Sequence, residues 1–337
     1  MSRAVERIWA RDGVAAWVLS PLSWVFHAGV ALRNAMFDLG ILRSYPLAVP
    51  SVSVGNLSVG GTGKTPVSAW VARELLVLGA KPAIVMRGYG ADEPLVHARL
   101  NPDVPVISNA DRIAGTLEAK ARGATVVVLD DAFQHRRARR DVDLVLIAAE
   151  QGMAQRVLPA GPLRERRGAL RRATVVIITR KSASLAEAEA VAASWTGFAG
   201  APPVAIVALQ PGEIWPVQPT DGPAQPVAVL KGSRVLAISA IGNPESFERQ
   251  LGALGATVTS ASYPDHHAFS AQDGARLAAQ AASVDRAVCT LKDAVKLAPV
   301  WPRGAVALWY LSQAVEVERG GALIRDALCR LVPGSQP

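Results

Sequence analysis

One short stretch constrains this chain more than any other: Ser58-Val59-Gly60-Gly61-Thr62-Gly63-Lys64-Thr65, set between an apolar run and a helix-forming one. The preceding residues, Val49 to Asn56 (VPSVSVGN), read as a buried strand. Glycines let successive backbone N–H groups turn inward around phosphate oxygens, and the N-terminus of the following helix favours negative charge. In such a loop Lys64 reaches the β- and γ-phosphates of ATP, and the Thr65 hydroxyl ligates Mg²⁺. The first position of the G-x-x-x-x-G-K-[ST] pattern is Ser58 instead of glycine, which the strand–loop–helix context and the Gly60-Gly61 pair offset. The expected ATP-binding residues are thus Ser58, Val59, Gly60, Gly61, Thr62, Gly63, Lys64 and Thr65.

A second run, Val126-Val-Val-Leu-Asp-Asp131, ends a predicted buried strand in two carboxylates. Beside a phosphate loop, an acid at a strand tip holds Mg²⁺ directly or through water. Asp130 and Asp131 therefore join Thr65 as candidate metal ligands, and the sequence does not decide between the two acids. Ala132-Phe-Gln-His-Arg-Arg137 puts polar and cationic groups, Gln134 and His135 among them, at the same sheet edge.

The rest of the chain repeats the alternation. Strands are expected at Pro82–Met86, Thr125–Leu129, Val142–Ile147 and Thr174–Ile178, with helices over Thr65–Leu78, Arg112–Arg122 and Leu185–Ser194. Short β-branched runs alternating with helices indicate parallel βαβ units. Seven prolines between Ala201 and Pro226 read as a linker or hinge. Beyond it, Arg234–Ser239, Thr257–Ser260 and Ala287–Thr290 read as strands of a smaller α/β unit. The fold class is α/β: a P-loop NTPase-type doubly wound parallel sheet, a second, smaller α/β domain, and an apolar N-terminal membrane-associated helical segment.

That N-terminal segment is the unusual one. Val14 to Leu32 is almost wholly apolar, preceded by Arg3, Arg7 and Arg11 and followed by Arg33 and Asp38. Its length approaches that of a membrane span, but Pro21 interrupts it and His27 lies within it. Trp17 and Trp24 favour a membrane interface. A monotopic, interfacial helix pair with basic flanks fits better than a crossing or an ordinary buried helix. Half of the 337 residues are hydrophobic and 19% charged, an apolar balance, and the formal net charge of +8 suits anionic partners. Nucleic acid is not expected among them, because the basic residues are not interleaved with aromatics. Two distant cysteines, Cys289 and Cys329, build neither a disulfide framework nor a zinc site, consistent with a reducing cytoplasm. No signal-peptide cleavage site follows the apolar run.

Taken in order, these segments resemble the tetraacyldisaccharide 4'-kinase family, the lipid A 4'-kinases, along nearly the whole chain. The resemblance is carried by Ser20-Pro21-Leu22-Ser23-Trp24, Ser53 to Pro66 and Arg87-Gly-Tyr-Gly90. It continues through Asp92-Glu-Pro94, Asp130-Asp-Ala-Phe-Gln-His135, Arg140-Asp141 and Leu158 to Glu165, and ends with Pro264-Asp-His-His267 and Lys292 to Lys296. It implies ATP- and Mg²⁺-dependent phosphorylation of the 4'-hydroxyl of a tetraacylated glucosamine disaccharide 1-phosphate, giving lipid IVA in lipid A biosynthesis. It also implies a peripheral place at the cytoplasmic face of the bacterial inner membrane, with no obligate protein partner. The family's catalytic aspartate falls on Asp92, its supporting histidine on His266, and an Arg-Glu pair on Arg164 and Glu165. Lys64 completes the expected catalytic set; Gln134, His135, Arg164 and Glu165 are candidates for substrate or phosphate. This chain departs from the pattern in a shorter loop between Tyr89 and Asp92, in Ala91 and Ala132 for glycines, and in Leu291 for a glutamate.

The implied domains are an N-terminal helical segment over 1–45, a P-loop kinase core over 46–200, a Pro-rich linker over 201–230 and a smaller α/β domain over 231–337. A membrane-associated P-loop ATPase switch is the alternative; it would explain the loop, the acids and the apolar segment, but not the Asp92 and His266 motifs. A G-protein-like metallochaperone would need a Cys/His cluster, and Thr290-Leu-Lys-Asp293 is only a weak likeness of its guanine-reading motif. His97 and His27 are expected as structural or interfacial residues, and His267 as a rival to His266.

Overall fold

The computed structural model describes residue 9 and residues 14–88, 92–152, 156–218, 222–332 and 334. Arg3, Arg7 and Arg11 of the basic flank, and Tyr89–Ala91 of the shortened loop, lie outside the described residues. The chain divides into a larger unit, Ala4–Leu209 with Val315–Pro337, and a smaller one based on Gln210–Ala314.

In the larger unit, helix α1 (Val14–Asp38) precedes the strands β1 (Tyr45–Pro46) and β2 (Ser51–Asn56) and helix α2 (Lys64–Val77). Then come β3 (Pro82–Met86), α3 (Asp92–Leu100), β4 (Val106–Ser108), α4 (Arg112–Ala121), β5 (Val126–Asp130), β6 (Ala138–Arg139) and β7 (Val142–Ala148). Next are β8 (Val175–Arg180), α5 (Leu185–Thr196) and the first half of β9 (Val204–Gln218). The sheet order is β13-β9-β8-β7-β2-β5-β3-β4, where β13 is Leu308–Arg319, of which the second half belongs here. From β9 to β4 the paired neighbours are parallel. Strands β2, β5 and β7 are buried at every residue, which is why they read as unbroken apolar runs without alternation.

Val52, Val54, Val128 and Leu144 pack under α2 through Val67, Val71 and Leu75, in a core that Ile324, Ala327 and Leu328 of the last helix complete. Val145, Ile147, Val176 and Ile178 form a second core with Ala188 and Trp195 of α5. In β2 and β5, Val54 stands abreast of Asp130. The loop leaving β2 and the acids ending β5 therefore meet at one sheet edge, where ligands of open α/β sheets bind.

Helix α1 runs through Pro21 as a single element, where a pair was expected. Ser23 Oγ donates to Val157 O at 3.0 Å and accepts from Ala160 N at 2.9 Å. Trp17 and Trp24 remain 70% and 74% exposed, with Val18, Leu22, Val25 and Leu32 also at the surface. Among the described residues no helix is long and apolar enough to cross a membrane.

In the smaller unit the order is β11-β10-β12-β13-β9, with β10 (Arg234–Ser239), β11 (Thr257–Ser262) and β12 (Arg286–Thr290) joined by α6 (Pro244–Ala253), α7 (Ala271–Ala281) and α8 (Leu291–Leu297). Helix α9 (Gly321–Cys329) follows β13 and belongs to the larger unit. Two features differ from the expected organisation. The proline-rich stretch holds strand β9, with Pro211 and Pro216 inside it. Pairing with β8 stops at Ala208, so these prolines lie on a portion of β9 that is open on its β8 side, where a strand tolerates proline. The chain beyond Ala314 returns to the larger unit, because α9 carries the apolar face that finishes its core.

Candidate functional site

The glycine-rich loop is held open by its own backbone and by a neighbouring strap. Gly63 precedes α2 at φ 82°, left-handed, with no side-chain cap on the helix N-terminus; a non-glycine residue would be strained there. A Cβ at Gly63 would also come within 2.3 Å of Leu209 Cδ1, while one at Gly61 would meet nothing. Thr62 is buried, its Oγ1 accepting from Asn56 Nδ2 at 2.9 Å and its carbonyl from Thr179 Oγ1 at 3.0 Å. Ser58, at the position where the pattern has glycine, bridges Leu163 and donates to Gln151 Oε1 at 2.8 Å. Val59 N donates to Pro162 O and Arg164 N to Leu57 O, each at 2.7 Å. Residues 162–164 thus brace the first half of the loop.

The two acids face different ways. Asp131 has φ 51°, a left-handed turn that aspartate tolerates, so its side chain diverges from that of Asp130. Asp131 Oδ1 stands 3.9 Å from Lys64 Nζ. Arg164 donates to both Asp131 oxygens, at 2.9 and 3.0 Å. Asp130 instead accepts from Ser68 Oγ at 3.1 Å and lies 3.0 Å from His97 Nε2. Burial pushes the Asp130 carboxyl up, but the His97 bond and charge, with Lys64 and Ser68, carry it below its ordinary value. Burial lowers the proton affinity of Lys64, against the raising fields of Asp131, Asp130 and Glu93.

Asp92 opens α3, and Glu93 beside it acts on Lys64. Helix α3 thus starts at Asp92 itself. Gln134 Nε2 donates to Asn56 O at 2.8 Å, behind the loop. His135 is half-buried with no partner on Nε2, its pKa lowered by burial and by Arg112 and Arg140. Glu165 turns away: it is buried, accepting from Arg172 at 3.0 and 2.9 Å and from Asn34 of α1 at 2.7 Å. In the smaller unit His266 sits at φ 61° with its side chain 68% exposed, 3.9 Å from Asp265. His267 is engaged locally, 3.2 Å from Asp273 and stacked near Tyr263 and Phe269. Thr290 and Asp293, the weak guanine-motif likeness, form a helix cap: Thr290 accepts from Asp293 N, and buried Asp293 accepts from Thr290 Oγ1 and Ala240 N.

Sequence reasoning missed two members of this cluster, Ser68 and Arg112, and expected His97 as a structural or interfacial residue without its link to Asp130. Arg112 is 3% exposed and donates to Asp130 O at 3.2 Å. The repeat of α3 placed His97 on its buried face, and the polar ring on that face was the available signal.

Hard oxygen donors on Thr65 and Asp131, beside Lys64, are the chemistry that a magnesium–phosphate pair takes. Among the described residues no group of three or more His, Cys, Asp or Glu could hold a metal alone, so a divalent ion here would share its coordination with phosphate oxygens.

Known proteins resemble this chain over most of its length. The family model described as tetraacyldisaccharide-1-P 4'-kinase matches residues 15–92 and 91–331. A tetraacyldisaccharide 4'-kinase of Anaeromyxobacter sp. (strain Fw109-5) is 39% identical over 333 residues, 88% of each chain. That of Halorhodospira halophila is 37% identical, covering 94% of this chain and 93% of its own. The fold is similar to a crystal structure of LpxK from Aquifex aeolicus described as an apo form in complex with ATP. Its TM-score is 0.76 at 29% identity, over 94% of this chain and 99% of that one.

Proposed function

This chain belongs to the tetraacyldisaccharide-1-P 4'-kinase family, and from that premise we propose that it transfers the γ-phosphate of ATP to the 4'-hydroxyl of a tetraacyldisaccharide 1-phosphate. The product is lipid IVA, a lipid A precursor. The observation that carries this reading is the meeting of Lys64 with Asp131 at the head of α2, beside the helix that begins at Asp92.

Phosphoryl transfer needs positioning and charge neutralisation more than covalent help. Backbone N–H groups from Ser58 to Thr65 cradle the phosphates, and Lys64 balances charge on the transferred group. Thr65 and Asp131 would hold a Mg²⁺ ion, which would supply further charge neutralisation. Arg164 keeps the Asp131 carboxylate aimed at that position. Asp92 accepts the proton of the sugar hydroxyl, a role worth roughly 10²–10⁴-fold, and His266 is assigned as its supporting imidazole. Gln134 and His135 are assigned to the substrate side, whereas the buried contacts of Glu165 suit a structural brace.

The enzyme works at the cytoplasmic face of the inner membrane, on which α1 lays Trp17, Trp24 and their apolar neighbours. The test is transfer of ³²P from γ-labelled ATP to the purified disaccharide 1-phosphate in detergent micelles. Wild type should label the lipid, with Lys64→Ala and Asp92→Ala each losing about a hundredfold in kcat/KM. ATP hydrolysis without labelled lipid would support the ATPase switch instead. Labelling that survives Asp92→Ala would remove Asp92 from the base role.

A further inference from the structure

Helix α3 carries Asp92 in its first turn, and the structure holds that helix from further along. His97 is wholly buried, its Nε2 3.0 Å from Asp130 Oδ2. The other oxygen of Asp130 accepts from Ser68 Oγ at 3.1 Å. One turn after His97, Asn101 Nδ2 donates to Ala69 O at 2.9 Å. Ser68 and Ala69 belong to α2, whose first residue is Lys64. Near the end of α3, His97 through Asp130, and Asn101, one residue past the helix, directly, thus link it to the helix that begins at the phosphate-loop lysine. Nδ1 of His97 has no hydrogen-bond partner; the polar anchoring of the ring is the Asp130 contact.

We propose that His97 is a positioning residue for phosphoryl transfer, fixing through Asp130 where Asp92 stands relative to Lys64. The inference rests on the kinase reading, with Asp92 as the proton acceptor. His97 lies five positions after Asp92, roughly 7.5 Å along a helix axis at 1.5 Å per residue. Over that span a helix moves as a rigid rod, so a shift at His97 is passed on to Asp92. Replacing the imidazole with an apolar group leaves Asp130 buried and short of a partner, and α3 must move or admit water to relieve it. A displacement of about 1 Å at a reacting group is enough to cost on the order of 10²-fold in rate.

The test uses the full chain and three substitutions. His97→Gln puts an amide nitrogen near the place of Nε2, whereas His97→Asn puts one near Nδ1, out of reach of Asp130. His97→Leu keeps the bulk and removes the donor. Val96→Ala, on the same helix and buried, serves as the purely structural comparison. The Gln variant should hold kcat within about tenfold of wild type, while Asn and Leu lose roughly a hundredfold. KM for ATP should stay within about threefold throughout, since the interaction lost is one needed for chemistry and not for binding. In an Asp92→Asn background, His97→Asn should cost little more, because it acts through the group already removed.

Losses in kcat that follow the loss in Tm, with Val96→Ala as slow as His97→Leu at equal Tm, would overturn the proposal. So would fully additive effects in the double variant. If His97→Leu does not fold, the Gln–Asn pair decides alone, equal kcat values being the contrary result. Wild-type protein that labels no lipid would overturn the kinase reading itself, an outcome separate from labelling without a Gln–Asn difference.

Discussion

Asp130 and Asp131 are neighbours in sequence with opposite surroundings, and the left-handed turn at Asp131 is what separates them. One carboxylate is satisfied inside the protein by His97 and Ser68; the other faces Lys64 and Arg164. The Asp130 carboxyl is held below its ordinary value of 3.8. A depressed folded-state pKa contributes stability above the unfolded value, and that contribution is lost as pH falls through the folded value. Asp130→Asn should therefore lower Tm most near neutral pH, with the gap to wild type closing in acid below pH 3.8. Thermal unfolding followed across a pH series checks this, and a gap independent of pH would contradict it. The loop and the acid pair were legible in sequence because each is contiguous and sits where an apolar strand ends. The role of His97 was not, since its partner lies 33 positions away and is reached only once α3 packs on β5 and α2.

Among elements, α7 shows how local chemistry sets a boundary. Ser270 caps the helix by accepting from Asp273 N, and Asp273 returns the contact to Ser270 N, a capping box. The Ser270 bonds and His267 hold the Asp273 carboxyl at about 2. Ser270→Ala should destabilise the protein by about 1 kcal/mol, read as a lower midpoint in urea with an unchanged m-value. Strands β10 and β12 follow from the pattern along the chain and were readable. Strand β9 was not: its prolines suggest a linker until the neighbours are known, since only then does Pro211 fall beyond the last β8 pair at Ala208. The partners of Glu165 were hidden from the sequence for the same reason. Its neighbour Arg164 meets Asp131, but its own partners, Asn34 and Arg172, come from α1 and from a turn further on.

At the scale of the whole molecule, α1 joins an exposed apolar surface to the machinery of the larger unit. Its buried side is fastened by Ser23 to Val157 and Ala160 and by Asn34 to Glu165, leaving the tryptophans exposed. Replacing both Trp17 and Trp24 by serine should weaken binding to anionic phospholipid vesicles by at least about tenfold. Activity on lipid dispersed in detergent should change much less; co-sedimentation and the micelle assay separate the two effects. Unchanged vesicle binding would place the membrane contact elsewhere.

The return of the chain after Ala314 has a consequence for synthesis. Ile324, Ala327, Leu328 and Leu331 pack in the same core as Val67 and Val71 of the helix behind the phosphate loop. On the ribosome, Gln210–Ala314 emerges as one uninterrupted piece and can collect its own core at once. The nucleotide-binding unit must wait for the final helix before its core closes. A nascent chain therefore carries the apolar surface of α1 long before it carries a finished phosphate site, so the order of translation exposes that surface before the chain is competent in catalysis.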